Sequence, residues 1–364
     1  MVQKDSLTTA QVIVIVASTI IGVGTLILPR VIADKVQTPD VWISLIMGGG
    51  LVVVAGLIMG KLNKRFPNKT FYQYNTEIIG KWLGYLLTIC FTLYCASIAA
   101  FEIRTMTEVV SSYLLPNTPR VCIVVPMMWI GTYLIFGGIN AIARFLEFFF
   151  VITIGLFLLS LFLGFKIFEL NNIRPILGLG IMPVLKGIQP TFYAFTGVEY
   201  ILVITAFMKN KQYVNKAIFI GILIPLLLYL VTLILVIGSL SIDETRMQTW
   251  PTISLIRQYE MTGIFFERLE PILLSVWVIQ IFTTFVTSHY IAALGLSQIS
   301  RKNINFYIYM LLPIIYIISI LPKNINEVFK FGDALGYCML IFAVCIPAVL
   351  LLFSVLRRKK DEVL

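Results

Sequence analysis

The sequence has 364 residues, of which 59% are hydrophobic and only 13% are charged. A soluble domain carries about 25% charged residues, so this composition excludes an ordinary soluble protein. The net charge of +10 does not indicate nucleic-acid binding, because the basic residues lie in short segments beside apolar runs, as membrane orientation requires. With one histidine and no phosphate loop, zinc motif or nucleophile elbow, we predict no enzyme, no catalytic or metal-binding residue and no cofactor.

Apolar runs of 18 or more residues recur along the whole chain, and a run of that length spans a lipid bilayer as an α-helix. The pattern predicts an all-α membrane protein that forms a single integral domain over residues 1–364. About ten spans are predicted, at roughly residues 10–31, 41–61, 82–108, 121–139, 144–166, 184–207, 216–239, 270–296, 304–321 and 334–356.

Basic residues predict the orientation of this bundle. Clusters at residues 209–216 and 357–360 fall on the same side as the N-terminus, and such clusters mark the cytoplasmic side. Both termini are therefore predicted to face the cytoplasm. The longest connector on the opposite side, about 241–269, contains the apolar segment from Trp250 to Ile256. We expect short surface helices there, which either cover the extracellular mouth or gate it.

Two predicted spans contain polar, glycine-bearing interruptions. Span one carries Gly22 and Gly24 within the stretch Ser18–Thr25, and span six carries Gly197 within Pro190–Glu199. Glycine unwinds a helix at little cost, and unwound backbone persists inside a membrane only where it faces a cavity or a ligand. The alternative is that these glycines serve close helix packing.

The positions of the two interruptions favour a binding site. Spans one and six are five crossings apart, so a second five-span unit would be inverted relative to the first, with repeats at approximately 10–166 and 184–356. Paired interrupted helices in two inverted halves are typical of a transporter-type site near the middle of the bilayer. The half-helix N-termini suit a carboxylate, and freed carbonyls suit an ammonium group or a cation.

The predicted site combines both interruptions with polar residues of spans three and eight. Glu102, which follows a long apolar run, either contacts an ammonium group or braces the unwound backbone. Thr284 shares a helix face with Thr287 and Ser288 and is predicted to line the site, although bonding to its own helix carbonyls is equally compatible with its position. Thr287 is assigned a structural or gating role. The predicted lining residues are Gly22, Val23, Gly24, Thr25, Glu102, Phe195, Thr196, Gly197 and Thr284.

The glycine-rich first span and the aromatic-x-Gly-x-Glu pattern at Phe195–Glu199 resemble the amino acid–polyamine–organocation superfamily. More narrowly, the chain is similar to the B subunits of bacterial spore germinant receptors. The similarity covers essentially the whole chain and is carried by residues 22–30 (GVGTLILPR), 101–108 (FEIRTMTE), 171–178 (NNIRPILG), 250–255 (WPTISL), 263–270 (GIFFERLE) and 280–285 (QIFTTF).

This resemblance implies a LeuT-like fold, a five-plus-five inverted repeat with spans one and six broken. It also implies that Glu199 is an acid that braces the broken helix rather than one that contacts ligand. The implied function is a subunit in the spore inner membrane that binds a small germinant, such as the L-amino acid alanine, between spans one, three, six and eight. The implied partners are the lipid bilayer and companion A and C subunits. An amino-acid permease and a ligand-gated water or ion channel remain alternatives.

Overall fold

A computed structural model describes residues 6–258 and 270–357 of the protein. Apart from one parallel β-bridge between Leu7 and Met208, the regular structure in these ranges is helical, so the all-α prediction is confirmed. Residues 263–269 of one quoted motif, and the basic residues Lys4, Arg268 and 358–360, lie outside the described ranges.

The helices follow one another with short connections. In chain order they are α1 (Thr9–Ile21), α2 (Gly24–Val36), α3 (Val41–Arg65), α4 (Phe71–Ile79), α5 (Lys81–Tyr113), α6 (Arg120–Phe136), α7 (Gly138–Leu163), α8 (Met182–Ala194), α9 (Ile201–Ile204), α10 (Val214–Met247), α11 (Pro251–Arg257), α12 (Glu270–Ser300), α13 (Ile304–Ile320), α14 (Ile325–Leu340) and α15 (Ile346–Leu356). A π-helical turn at Ile341–Cys345 joins α14 to α15.

Within the described ranges, six helical segments are long and apolar enough to cross a membrane. The number rises to eight if each of two bent helix pairs is counted as one span. Two shorter apolar helices, α6 and α13, occupy the places of the predicted fourth and ninth spans. The chain is therefore a multi-pass membrane protein. Helix α12 lies near the centre of the bundle, since most of its span is buried, whereas most of α7 is open to the surroundings.

Both predicted interruptions are present. Helices α1 and α2 meet at a bend of 51°, and α8 meets the segment Val198–Phe207, which contains α9, at a bend of 52°. Helix α1 begins with a capping box between Thr8 and Gln11, which satisfies its first N–H groups. Gly197 has φ of +107°, a backbone conformation that favours glycine. The glycines thus break the helices instead of serving helix packing alone.

The connector after α10 also contains a short helix, as predicted. Helix α11 coincides with the apolar segment that begins at Trp250, and most of its residues are buried. The Thr252 hydroxyl donates a hydrogen bond to the carbonyl of Thr25 over 2.8 Å. Helix α11 therefore covers α2 on the face of the bundle opposite the N-terminus.

Candidate functional site

A cavity with about 700 Å³ of empty space, part of it open to the surroundings, lies beside the two breaks. Helices α2, α5, α8 and α14 form its walls, so it extends from the breaks toward the face opposite the N-terminus. Its lining residues are Ile20, Val23, Gly24, Ile27, Leu28, Val31, Ile98, Phe101, Glu102, Pro190, Tyr193, Ala194, Thr196, Phe329, Gly332, Asp333 and Leu335.

Four of the predicted site residues meet in this cavity, namely Val23, Gly24, Glu102 and Thr196. Gly22 lies directly behind them. A Cβ atom at position 22 would come within 2.9 Å of the Glu102 carboxylate oxygen Oε1, closer than real Cβ atoms come to other groups. The small size of Gly22 therefore lets Glu102 reach the break, although Gly22 does not line the cavity itself.

Three other predicted residues of the breaks are turned away from the cavity. The Thr25 hydroxyl donates to the carbonyl of Ile21 over 3.1 Å, on the opposite side of α2. Phe195 is fully buried within the bundle. Gly197 packs against α1, because a Cβ there would lie 2.9 Å from the carbonyl oxygen of Thr19. These residues shape the breaks and do not line the described cavity.

The predicted contribution of span eight is not found in this cavity. The Thr284 hydroxyl lies 3.3 Å from the carbonyl oxygen of Thr19, so it bonds the last turn of α1. The Thr287 hydroxyl bonds its own helix, with the Thr283 carbonyl as acceptor at 2.8 Å. The Thr284 hydroxyl is thus satisfied by α1 backbone, and α14 supplies that wall of this cavity.

Glu102 lies at the cavity wall beside the first break. Only 5% of Glu102 is exposed, and its carboxylate oxygen Oε1 lies beside Gly22. The second oxygen, Oε2, has no hydrogen-bond partner among the described residues. A buried carboxylate oxygen without a partner is costly, so Glu102 is a lining residue whose hydrogen bonding is left incomplete among the described residues.

Glu199 lies below the break, on the side of the N-terminus, and is fully buried. Its two carboxylate oxygens accept hydrogen bonds from the N–H of Gly197 at 3.1 and 3.0 Å. The Tyr94 hydroxyl donates to Oε1 over 2.9 Å. These contacts tie the carboxylate to its own broken segment and to α5, and they support the bracing role that the resemblance implies.

The cavity changes in polarity along its length. Near the breaks lie Glu102 and Thr196, and at the outer end lies the exposed side chain of Asp333. Acidic residues are present among the described lining residues, but Lys and Arg are not. Between the two ends the walls are apolar or aromatic, and the Phe329 ring at the mouth lies 4.7 Å from the Arg30 guanidinium carbon. This distribution suits a small molecule with a cationic group and an apolar part.

Sequence reasoning missed the contributions of Tyr193 and α14. The Tyr193 hydroxyl donates to the backbone carbonyl of Asp333 over 2.8 Å and so joins α8 to α14 beside the cavity. Tyr193 stands within the polar stretch that predicted the second break, which was an available signal. Asp333 stands one residue before the predicted start of the tenth span. An acidic residue is common in such a loop, so its position gave no signal of a site.

Sequence comparisons find related proteins over most of the chain. A family model described as "Spore germination protein" matches residues 6–328. The spore germination protein YndE of Bacillus subtilis (strain 168) is 42% identical over 358 residues, which cover 98% of this chain and 99% of that protein.

Two solved transporter structures share the fold at low sequence identity. The nucleobase-cation-symport-1 family transporter Mhp1, closed with bromovinylhydantoin bound, is 12% identical with a TM-score of 0.68, over 99% of this chain and 81% of that one. MhsT in complex with L-phenylalanine is also 12% identical, with a TM-score of 0.59 over 96% of this chain and 89% of that one. The predicted LeuT-like fold is thereby confirmed.

Proposed function

Because this chain belongs to the spore germination protein family, we propose that it is a germinant-sensing subunit that binds a small amino acid in the cavity between its two broken spans. The observation that carries the proposal is the buried Glu102 carboxyl group, which lies at the cavity beside the first break and has one oxygen without a partner among the described residues. A ligand ammonium group supplies the missing partner.

The remaining parts of an amino acid also find complementary groups. Helix α2 begins at Gly24, so its first N–H groups have no partner within the helix and favour a carboxylate. The Thr196 side chain lines the wall at the second break and offers a hydroxyl. An apolar side chain packs against Ile98, Phe101 or Leu335. The MhsT complex contains L-phenylalanine, which is a precedent for an amino acid in a protein of this fold.

Sensing follows from the placement of the ligand between two half-helices. A ligand shifts a conformational equilibrium only by its difference in affinity for the two states. An amino acid that contacts α2, α5 and α8 at once favours the arrangement in which these helices are closest. In the spore inner membrane, that arrangement is passed on to companion A and C subunits.

The test of the binding site is a calorimetric screen of the twenty L-amino acids against the purified protein in nanodiscs. For any amino acid that binds, Glu102→Gln raises Kd at least about tenfold, equivalent to about 1.4 kcal/mol, because the amide supplies no negative charge. Glu244→Gln, at an exposed position on α10, is the matched control and leaves Kd unchanged. Unchanged affinity in Glu102→Gln, or no binding by any amino acid, contradicts the proposal.

Transport is the second candidate function, and the transporter fold of the solved neighbours favours it. The discriminating experiment measures uptake of the bound amino acid, in radiolabelled form, by the protein in liposomes. Saturable accumulation identifies a permease, whereas binding without flux identifies a receptor. Ligand-dependent conductance without movement of the amino acid identifies a channel.

A further inference from the structure

Tyr229 connects the two breaks from the side of α10. Its side chain is fully buried. Its hydroxyl oxygen lies 2.6 Å from the carbonyl oxygen of Ile20 and 2.8 Å from that of Ala194. Ile20 is in the last turn of α1, and Ala194 is the last residue of α8. One hydroxyl therefore contacts the C-terminal ends of both half-helices that stop beside the cavity.

These carbonyls belong to helix ends, where the regular helical donors are missing. In an unbroken α8 the Ala194 carbonyl would accept from the N–H of Val198, but that N–H donates to Phe195 instead, over 3.1 Å. In an apolar interior an acceptor without a donor is costly. The Tyr229 hydroxyl supplies the donor at this point.

The surrounding residues fit the tyrosine closely. The Phe195 ring packs edge-on against the Tyr229 ring, with centroids 5.6 Å apart. At Gly24 an added Cβ would collide with the Tyr229 hydroxyl, and it would lie 3.1 Å from the Ala194 carbonyl oxygen. Gly24 thus leaves room for the hydroxyl between the two breaks.

We propose that the Tyr229 hydroxyl is a shared tether that holds the ends of α1 and α8 together and so positions the walls of the cavity. A hydroxyl has a single proton, so it donates to one carbonyl at a time and passes between Ile20 and Ala194. Glu199 bonds the backbone of the second break, whereas Tyr229 links both breaks. Tyr229 is accordingly a positioning residue, and it acts with or without ligand.

Hydrogen–deuterium exchange of the ligand-free protein in nanodiscs tests this tether independently of the proposed function. Tyr229→Phe keeps the ring and removes the hydroxyl. Loss of one buried hydrogen bond is expected to speed amide exchange about fivefold in two separate peptides, residues 18–26 and 192–199. Exchange in α3 stays unchanged, which shows that the bundle is intact.

Tyr72→Phe is the matched control, because the Tyr72 hydroxyl also donates to a backbone carbonyl, that of Ile291, over 2.7 Å, away from both breaks. Gly24→Ala is a second variant, which displaces the hydroxyl and keeps the tyrosine; it is expected to speed exchange at the same two peptides. Faster exchange at only one break, at neither break, or equally in Tyr72→Phe overturns the shared tether.

Discussion

Gly24 contributes both to the fold and to the proposed binding site. It lines the cavity and it begins α2, and its missing side chain leaves space that the Tyr229 hydroxyl fills. A larger residue at this position meets the tyrosine on one side and the cavity on the other. Its effect on binding therefore differs from that of a glycine that merely lies in a helix.

Gly24→Leu is expected to weaken amino-acid binding at least about tenfold, because overpacking a closely packed site costs about 1–3 kcal/mol. The measurement is Kd in nanodiscs, with membrane levels of the protein checked by immunoblot. Gly50→Leu is the control, since a Cβ at Gly50 in α3 has no atom within 4 Å. Equal affinities of Gly24→Leu and Gly50→Leu would remove position 24 from the site.

At the scale of helical elements, the break in span six depends on a backbone conformation and on a close approach. Gly197 has φ of +107° and Gly80, between α4 and α5, has φ of +95°. A Cβ at Gly80 meets nothing within 4 Å, whereas a Cβ at Gly197 lies 2.9 Å from the Thr19 carbonyl oxygen. Both glycines have a positive φ, but their ψ values differ, 162° at Gly80 and −17° at Gly197; only Gly197 adds a collision with backbone.

Gly80→Ala is therefore expected to destabilise the protein by about 1 kcal/mol through backbone strain alone. Gly197→Ala is expected to cost about 2 kcal/mol more, since α1 must also move away from the break. Thermal unfolding in detergent, followed by tryptophan fluorescence, compares the two variants. An unchanged melting temperature in Gly197→Ala would mean that neither the positive φ nor the contact with Thr19 constrains this position.

The breaks could be predicted from the sequence because their signal is local. Glycines beside hydroxyl and acidic residues, within an otherwise apolar run, mark unwound helix in a membrane. The lining from α14 could not be predicted, because it depends on which helix faces the breaks across the bundle. Thr284 was predicted to line the site, but its hydroxyl bonds carbonyls of α1. Backbone carbonyls are present at every residue, so the sequence does not indicate this contact.

The role of Tyr229 also could not be predicted from the sequence. It stands in the most apolar of the predicted spans, where a single tyrosine is an ordinary packing residue. Its partners are two backbone carbonyls, one of them 209 residues away in the sequence. Since every residue has a carbonyl group, no pattern of side chains identifies such a contact. The role of Tyr229 becomes visible only when the two half-helices are placed beside it.

At the scale of the whole molecule, the two faces of the bundle differ. On the face of the N-terminus, Leu7 exchanges backbone hydrogen bonds with the end of span six, through its N–H to Phe207 at 2.8 Å and its carbonyl to Lys209 at 2.9 Å. The buried Asn63 amide donates to the carbonyl of Ile201 over 2.9 Å and ties α3 to the same segment. The cavity lies on the other side of the breaks, and its outer end at Asp333 is exposed.

This asymmetry gives the predicted orientation a direct test. Lys302 lies between α12 and α13, on the N-terminal face where basic clusters predict the cytoplasm, and Asp333 lies at the cavity mouth; both side chains are exposed. In a variant without native cysteines, a membrane-impermeant maleimide added to right-side-out vesicles is expected to label Asp333→Cys at once. It labels Lys302→Cys only after permeabilisation. The reverse pattern would place the cavity mouth in the cytoplasm, so that a germinant reaching the membrane from outside would have no path to Glu102.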